Sequence, residues 1–241
     1  MFVHYRAKGF VFSKENRSEA DQLFKIYTQE FGRLEILARA IRKTSSKLRS
    51  GIDIFTLSDI EFIQGKAQKT LTDAVLLEKF VKTRKNLEKS EIMHRMANFL
   101  DSLIKEQEKD QRIYSLILEV FREMEKDALI DGQILLLYYY FFWNLVSFAG
   151  YQPELHRCFS CQKKLSPGKI NLSREGGLIC PECSAGKSSD YSVSPETIKI
   201  VRVLLEGNLV RAKKLKLEEK QIKELEVFSE KYRKIILEKN S

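Results

Sequence analysis

The spacing of the cysteines constrains the fold of this chain more than any other feature. Cys158 and Cys161 form one C-x2-C pair, Cys180 and Cys183 form a second, and these are the only cysteines among 241 residues. Each such turn can direct two sulfurs at one point, and the chain between the pairs is long enough to return. The pattern predicts one tetrahedral four-thiolate site for a single Zn²⁺ ion.

A small ribbon is expected around these cysteines, over about residues 151–190. Gly176 and Gly177 separate the apolar stretches 170–172 and 178–179, which predicts a hairpin that delivers the second pair. Four thiolates leave no open position for water, so the metal would be structural. Two disulfides or a redox pair are alternatives, and His156 stands close enough to replace a cysteine. Buried thiols fit poorly because residues 156–187 are polar.

The charge balance points to a polyanionic partner. The formal net charge is +9 and the isoelectric point is near 9.2, which bears on association rather than on fold. Charges interrupt residues 1–12, so no signal peptide is expected, and the metal-type cysteines predict a reducing, cytoplasmic compartment. The apolar run 134–143 is too short to span a bilayer and predicts a buried helix.

The first 72 residues predict a small antiparallel barrel of the OB type. Short segments alternate between apolar and polar residues, and Gly9 suggests a bulge in the first of them. Four or five strands in so short a stretch favour a barrel. The segments are 2–12, 22–28, 33–41, 52–63 and 67–71.

The loop after the third strand carries the densest charge, and the basic stretch 33–49 is our candidate DNA-binding surface. Cations in such a stretch can follow a phosphate backbone while bases stack on nearby rings, with Tyr5 also in the vicinity. The alternative is a solvated loop with the aromatic residues in the core. The only acidic residue in this stretch is Glu35, so its local charge is strongly positive. The candidate DNA-binding residues are Arg33, Arg39, Arg42, Lys43, Lys47 and Arg49, together with the rings of Tyr27 and Phe31.

From Thr72 onward the apolar period becomes helical, which predicts a helical domain over residues 73–241 that includes the ribbon. Asp110 is expected to cap one helix, Gly150 to end the apolar one, and Ser194-Pro195 to begin another. The fold class is therefore α+β: an N-terminal OB barrel, then helices with an inserted four-cysteine zinc ribbon. The tail 199–241 is also basic, and it could serve as a second polyanion surface, as the docking site of an acidic partner or simply as a solvated helix face. No catalytic constellation is visible, so we do not expect an enzyme.

In order and spacing, several motifs resemble the RecO family of bacterial DNA repair proteins over the whole chain. They are Ser18-Glu-Ala-Asp-Gln-Leu23 leading to Thr28-x-x-x-Gly32, Leu37-Ala-Arg-Ala-Ile-Arg-Lys43 with Ser46, Gly150-Tyr-Gln-Pro-Glu-Leu155, and the glycine-flanked cysteine pairs. Two positions depart from the family pattern: Ala40 stands where glycine is common, and Ile54 where proline is usual.

The resemblance implies a recombination mediator rather than an enzyme. Such proteins bind single- and double-stranded DNA, anneal complementary strands, contact single-stranded-DNA-binding protein (SSB) and join RecR in loading RecA. It further implies that zinc supports folding only, and that the protein is cytoplasmic and nucleoid-associated, without a membrane partner. The rival from another class is a zinc-ribbon adaptor that binds proteins and whose charge is incidental; a nucleic-acid-modifying enzyme is a third.

Overall fold

The computed structural model describes residues 3–105, 107, 109–126, 129, 132–165, 168, 170–185 and 191–240. The chain forms two compact units, Met1–Leu129 and Ile130–Ser241. The first contains the barrel and the helices that follow it, and the second contains the remaining helices and the cysteine pairs. The predicted division into domains 1–72 and 73–241 stays a prediction.

The first unit is built on a closed barrel with the strand order β1-β2-β3-β5-β4. Strands β3 and β5 pair in parallel, and the other neighbours are antiparallel. This arrangement is that of an OB-fold, which confirms the predicted barrel. The strands are β1 (His4–Asn16), β2 (Gln22–Thr28), β3 (Gly32–Ala38), β4 (Thr56–Gln64) and β5 (Lys69–Lys79).

The bulge predicted at Gly9 is wrong. Gly9 stays in register with both neighbouring strands, and the irregularity of β1 lies between Val11 and Ser13. A Cβ atom at Gly9 would stand only 2.4 Å from Cγ2 of Ile26 on β2. The glycine therefore permits the close approach of two strands, the other use that glycine has inside a sheet.

The helical period expected from Thr72 is wrong for residues 72–79, which continue β5 as a strand. These residues pair with β4 through two register irregularities. Leu76 and Leu77, which suggested the apolar face of a helix, are 37% and 43% exposed on this strand. Their spacing with Phe80 imitates a helical stripe, whereas only Phe80 of the three is buried.

Three helices complete the first unit: α1 (Val81–Lys85), α2 (Leu87–Leu103) and α3 (Gln111–Met124). Phe10 of the barrel and Phe121 of α3 place their ring centroids 4.2 Å apart, and Phe55 and Phe80 join the same cluster. Burial of these rings joins the barrel to its helices. Asp110 accepts from the backbone of Arg112, so the predicted cap of α3 is confirmed.

The second unit is organised around the apolar helix α4 (Gln133–Phe148), of which residues 136–146 are buried. Trp143 stacks on Phe228, and the predicted end of α4 at Gly150 and the predicted serine cap at Ser194 are confirmed. The other elements are β6 (Ile170–Leu172), β7 (Leu178–Ile179), α5 (Pro181–Ser184), β8 (Ser192–Val193), α6 (Pro195–Leu205), α7 (Leu209–Lys213) and α8 (Glu219–Lys239).

Candidate nucleic-acid interface and metal centre

The basic stretch forms the connection between β3 and β4, at the end of the barrel where β1 passes into β2. The backbone N–H of Ala40 donates to Oδ1 of Asp21 at 2.8 Å, and that of Arg42 donates to the carbonyl of Ala20 at 3.0 Å. These bonds tie the stretch to the β1–β2 connection before it enters the 3-10 turn Lys47–Ser50. We name residues 39–49 the cationic loop.

Five cations of the cationic loop project into solvent. Apart from the guanidinium of Arg42, which donates to the carbonyl of Ser18 at 3.3 Å, their side chains have no hydrogen-bond or ion-pair partner among the described residues. Like charges so placed raise the local positive potential and remain available to an external anion. They are Arg39, Arg42, Lys43, Lys47 and Arg49.

Two of these cations border a cleft of about 420 Å³ at this end of the barrel. Arg42 and Arg49 contribute from the cationic loop, and Lys14 contributes from the far end of β1. Gln22, at the start of β2, adds an amide that can donate to a phosphate oxygen. The cleft also contains one carboxylate, that of Asp53, which pairs with Lys14 at 2.5 Å.

Lys14 and Gln22 were missed in the sequence. Neither lies in a basic run, and both sit where a strand begins or ends. Their nearness to the cationic loop follows from the pairing of Asn16 with Gln22 and of Gln22 with Ala38. A known OB strand order would have revealed them, because strand ends at one rim of a barrel are neighbours.

The structure separates Arg33 from the other predicted cations. Its side chain is only 14% exposed and pairs with Asp101 at 2.8 Å and with Glu35 at 2.7 Å. Burial alone would lower the pKa of Arg33, but the hydrogen bonds to these two carboxylates raise it. Together with Lys25, which also pairs with Asp101, Arg33 attaches the barrel to the end of α2.

Tyr27 lies on the outer face of β2, buried under the segment before α3, and cannot stack on a base in this structure. The residue is fully buried, and its hydroxyl accepts from the backbone N–H of Asp110 at 3.3 Å. Burial, the largest influence, raises the pKa of Tyr27 to about 12. Its ring belongs to the packing between the barrel and the segment before α3, whereas the alternative weighed in the sequence placed it in the barrel core.

Phe31 occupies the opposite end of the barrel from the cationic loop. It lies in the β2–β3 hairpin beside the Thr28–Gly32 pair, whereas Arg39 follows Ala38 at the other end of β3. Six residues of strand correspond to roughly 20 Å at about 3.4 Å per residue. Phe31 instead makes edge contacts with Tyr5 and Phe62. The cationic and aromatic halves of the predicted interface therefore do not meet.

The four cysteines converge on one point. Their sulfurs all lie within 4.8 Å of one another, and the Sγ atoms of Cys161 and Cys180 are 3.9 Å apart. A tetrahedral zinc site with bonds of about 2.3 Å requires sulfur separations of roughly 3.8 Å. Cys158 and Cys180 are buried, the other two are half-buried, and exposed His156 stands outside the cluster.

Two backbone turns hold the sulfurs in position. The hairpin of β6 and β7 returns the chain as predicted, and the carbonyl of Leu178 accepts from Phe159 N–H at 2.7 Å. A Cβ at Gly177 would stand 2.3 Å from Cγ of Phe159, so the ring of Phe159 packs directly on this glycine. At Gln162 a positive φ of 61° closes the first turn. Sheet β7-β6-β8 completes the ribbon.

The donor set fits a divalent metal ion. Burial alone would raise the pKa of Cys158, but backbone N–H groups of Cys161, Cys180 and Ser160 lower it to about 6. Hydrogen bonds with the sulfurs of Cys161 and Cys180 raise the pKa of Cys183 to about 12. Four thiolates at these distances repel one another, so their joint ionisation calls for a bound cation. With a metal bound, the four cysteines would fill all four positions, as protein ligands do in structural sites.

None of the described helices combines the length and the apolar character that crossing a lipid bilayer requires.

Comparisons with known proteins cover nearly the whole chain. The family model "Recombination protein O N terminal" matches residues 1–80, and "Recombination protein O C terminal" matches residues 84–240. The DNA repair protein RecO of Syntrophomonas wolfei is 30% identical over 228 residues, which are 95% of this chain and 89% of that protein. RecO of Dehalococcoides mccartyi strain 195 is 27% identical over 236 residues, 98% of this chain and 91% of that protein.

Proposed function

The chain belongs to the RecO family of DNA repair and recombination proteins, and from this premise we propose that it is a non-enzymatic recombination mediator. It binds single- and double-stranded DNA, promotes the annealing of complementary strands and, together with RecR, assists the loading of RecA onto DNA covered by SSB. The proposed compartment is the cytoplasm, at the nucleoid.

The observation that carries this proposal is the cationic loop. Five exposed cations stand together without an internal carboxylate among them, and the cleft beside them adds Lys14. Release of condensed counterions when such cations meet phosphates is the main source of sequence-independent DNA affinity. Annealing has the same basis, since a cationic surface that neutralises two phosphate backbones reduces the repulsion between them.

The absence of a described aromatic ring from the cleft supports contact with the phosphate backbone rather than with bases. Single-strand binding through stacking needs rings beside the cationic groove. A surface that reads phosphates alone accepts single strands and duplexes alike, as annealing requires. We therefore confine the proposed interface to the five loop cations with Lys14 and Gln22, and omit Tyr27, Phe31 and Arg33.

The proposed metal is one structural Zn²⁺ ion held by the four cysteine thiolates. When bound, it supplies cross-linking of two turns and no reactive position. The cysteines then fix the ribbon, while the DNA contacts come from the first unit. Metal removal is accordingly expected to affect folding first.

Titration of labelled single strands and duplexes at two salt concentrations tests the proposal. Replacement of Arg42, Lys43 and Arg49 by Glu should weaken binding by about a hundredfold at low salt. The slope of log K against log[salt] should become shallower by roughly three units, about one per lost phosphate contact.

A charge-matched control separates the interface from the net charge. Lys8, Lys85 and Lys109 are exposed and lie outside the cationic loop, so their replacement by Glu changes the total charge equally. This variant should retain most of its DNA affinity. Equal losses in both variants, or weak and salt-insensitive binding by the native chain, would favour the zinc-ribbon adaptor instead.

A further inference from the structure

The carboxylate of Asp53 lies in the cleft bordered by Lys14, Arg42 and Arg49, and it has cations on two sides. Its Oδ1 is 2.5 Å from Nζ of Lys14, and its Oδ2 accepts from Nη2 of Arg84 at 2.8 Å. Asp53 and Lys14 are each about one-third exposed, at 35% and 36%. The pair is therefore open to solvent on the side of the cleft, where a DNA phosphate would approach.

Asp53 is held firmly by its own backbone surroundings. The N–H of Ile54 donates to Oδ1 at 2.8 Å, and the hydroxyl of Thr56 donates to the Asp53 carbonyl at 2.7 Å. Arg84 contributes from α1, and its second terminal nitrogen, Nη1, is buried. Burial alone would raise the pKa of Asp53, but Lys14 and Arg84 lower it, so the carboxylate is charged at neutral pH.

We infer that Asp53 acts as an internal competitor for the DNA phosphate by holding Lys14, one of the three cations that line the cleft. This inference rests on the proposed function, because it specifies how DNA binding at the same cleft is limited. A carboxylate offers Lys14 the same kind of charged acceptor that a phosphate oxygen offers. Since Arg84 fixes Asp53 from the other side, only Lys14 is free to exchange between the two acceptors.

The consequence is a moderated affinity. Asp53 repels an incoming phosphate and occupies one cation, so DNA is bound mainly by Arg42 and Arg49 within the cleft. An annealing protein must release the duplex that it forms, and a fixed competitor speeds that release by offering Lys14 an alternative partner. The described structure shows no second carboxylate lining this cleft.

The experiment compares Asp53→Asn, Lys14→Met and the double variant with the native chain in salt titrations with a labelled oligonucleotide. Asp53→Asn should bind about five- to tenfold more tightly at low salt, with a salt slope steeper by about one unit, which corresponds to one additional phosphate contact. Lys14→Met alone should weaken binding less than Arg49→Met does, because Asp53 already holds Lys14, and added to Asp53→Asn it should abolish the gain.

Glu226→Gln is the charge control, since this exposed glutamate lies on α8 and is not among the described residues that line the cleft; it should leave affinity unchanged. A folded Asp53→Asn variant with native or weaker affinity would overturn the inference and leave the proposed function standing. The inference would also be overturned if Lys14→Met lost as much DNA affinity as Arg49→Met. This comparison can be made even if Asp53→Asn does not fold. Salt-insensitive binding by the native chain would instead defeat the proposed function.

Discussion

The ribbon and the cationic loop hold their functional groups by opposite means. In the ribbon, four sulfurs converge within 4.8 Å, and backbone N–H groups fix the turns that carry them. In the cationic loop, five side chains diverge into solvent. Convergent ligands require one geometry, whereas dispersed cations can meet a phosphate backbone in many ways. Damage to the ribbon should therefore be all-or-none, and damage to the loop should be graded.

The largest effect is expected from Cys158→Ser, which removes a buried ligand. Structural zinc contributes about 10–16 kcal/mol of apparent binding free energy in zinc-finger peptides, and loss of one thiolate forfeits much of it. The variant should lose its metal and expose residues 156–185 to proteolysis. DNA affinity should stay within about twofold, because the cationic loop lies in the other unit. Metal analysis by mass spectrometry and limited proteolysis measure the first two outcomes.

His156→Ala is the matched control for this variant. His156 is exposed and outside the sulfur cluster, so full metal content is expected. Stoichiometric metal in Cys158→Ser, or its loss in His156→Ala, would mean that the ligand set is wrong. A large fall in DNA affinity without the metal would break the contrast between the two regions.

The sequence determined the ribbon more closely than the loop because the two signals differ in kind. The cysteine spacing prescribes which atoms must meet, and all four sulfurs do meet. A run of cations prescribes only that positive charge is present. Asp101 pairs with Arg33 from 68 positions away along the chain, and no local pattern announces such a partner. The alternation of apolar and polar residues likewise prescribes which side chains share one face of a strand, and it therefore predicted the OB barrel.

The errors in the barrel arose where local sequence is ambiguous. A glycine in a strand can mark a bulge or a close approach, and only the neighbouring strand, with Ile26 facing Gly9, decides between them. Leu76, Leu77 and Phe80 have helical spacing, yet pairing with β4 extends β5 to Lys79. Short apolar runs permit both readings, and tertiary pairing selects one.

Asp101→Asn tests whether Arg33 is structural rather than part of the loop surface. The carboxylate of Asp101 pairs with Lys25 and Arg33, and its side chain is 28% exposed. We expect the variant to lose about 1–2 kcal/mol of unfolding free energy at neutral pH, between the values for exposed and buried pairs. DNA affinity should be unchanged. Chemical denaturation followed by circular dichroism measures the loss.

The pH dependence of this loss has a defined sign. Burial alone would raise the pKa of Asp101, but Lys25 and Arg33 lower it below its usual value. A carboxyl group whose pKa is lowered in the folded state stabilises the folded protein at pH values above its unfolded pKa of about 3.9. That stabilisation disappears as pH falls through the folded pKa. The native chain and Asp101→Asn should therefore converge in stability once the pH has fallen through the lowered pKa of Asp101. A difference that stays constant throughout the acid titration would assign the loss to packing.

The smallest effect is expected at Ala40, where the cationic loop begins. Ala40 has a φ of 53°, a left-handed conformation that disfavours residues with a Cβ by about 1–2 kcal/mol. Glycine has no Cβ and adopts this conformation without that cost. Because glycine also increases the entropy of the unfolded chain by about 0.4–1 kcal/mol, Ala40→Gly should stabilise by roughly 0.5 kcal/mol. The melting temperature should then rise by about 1–2 °C.

Ala67→Gly provides the comparison with opposite sign. Ala67 lies in an exposed connection and is not among the described residues with a positive φ, so glycine there should lower the melting temperature slightly. Destabilisation by Ala40→Gly would mean that the loop tolerates its backbone conformation without strain. Unchanged DNA affinity in the stabilised variant would show that the loop cations bind from many backbone conformations. A measurable change would show that the cationic loop, like the ribbon, depends on one defined geometry.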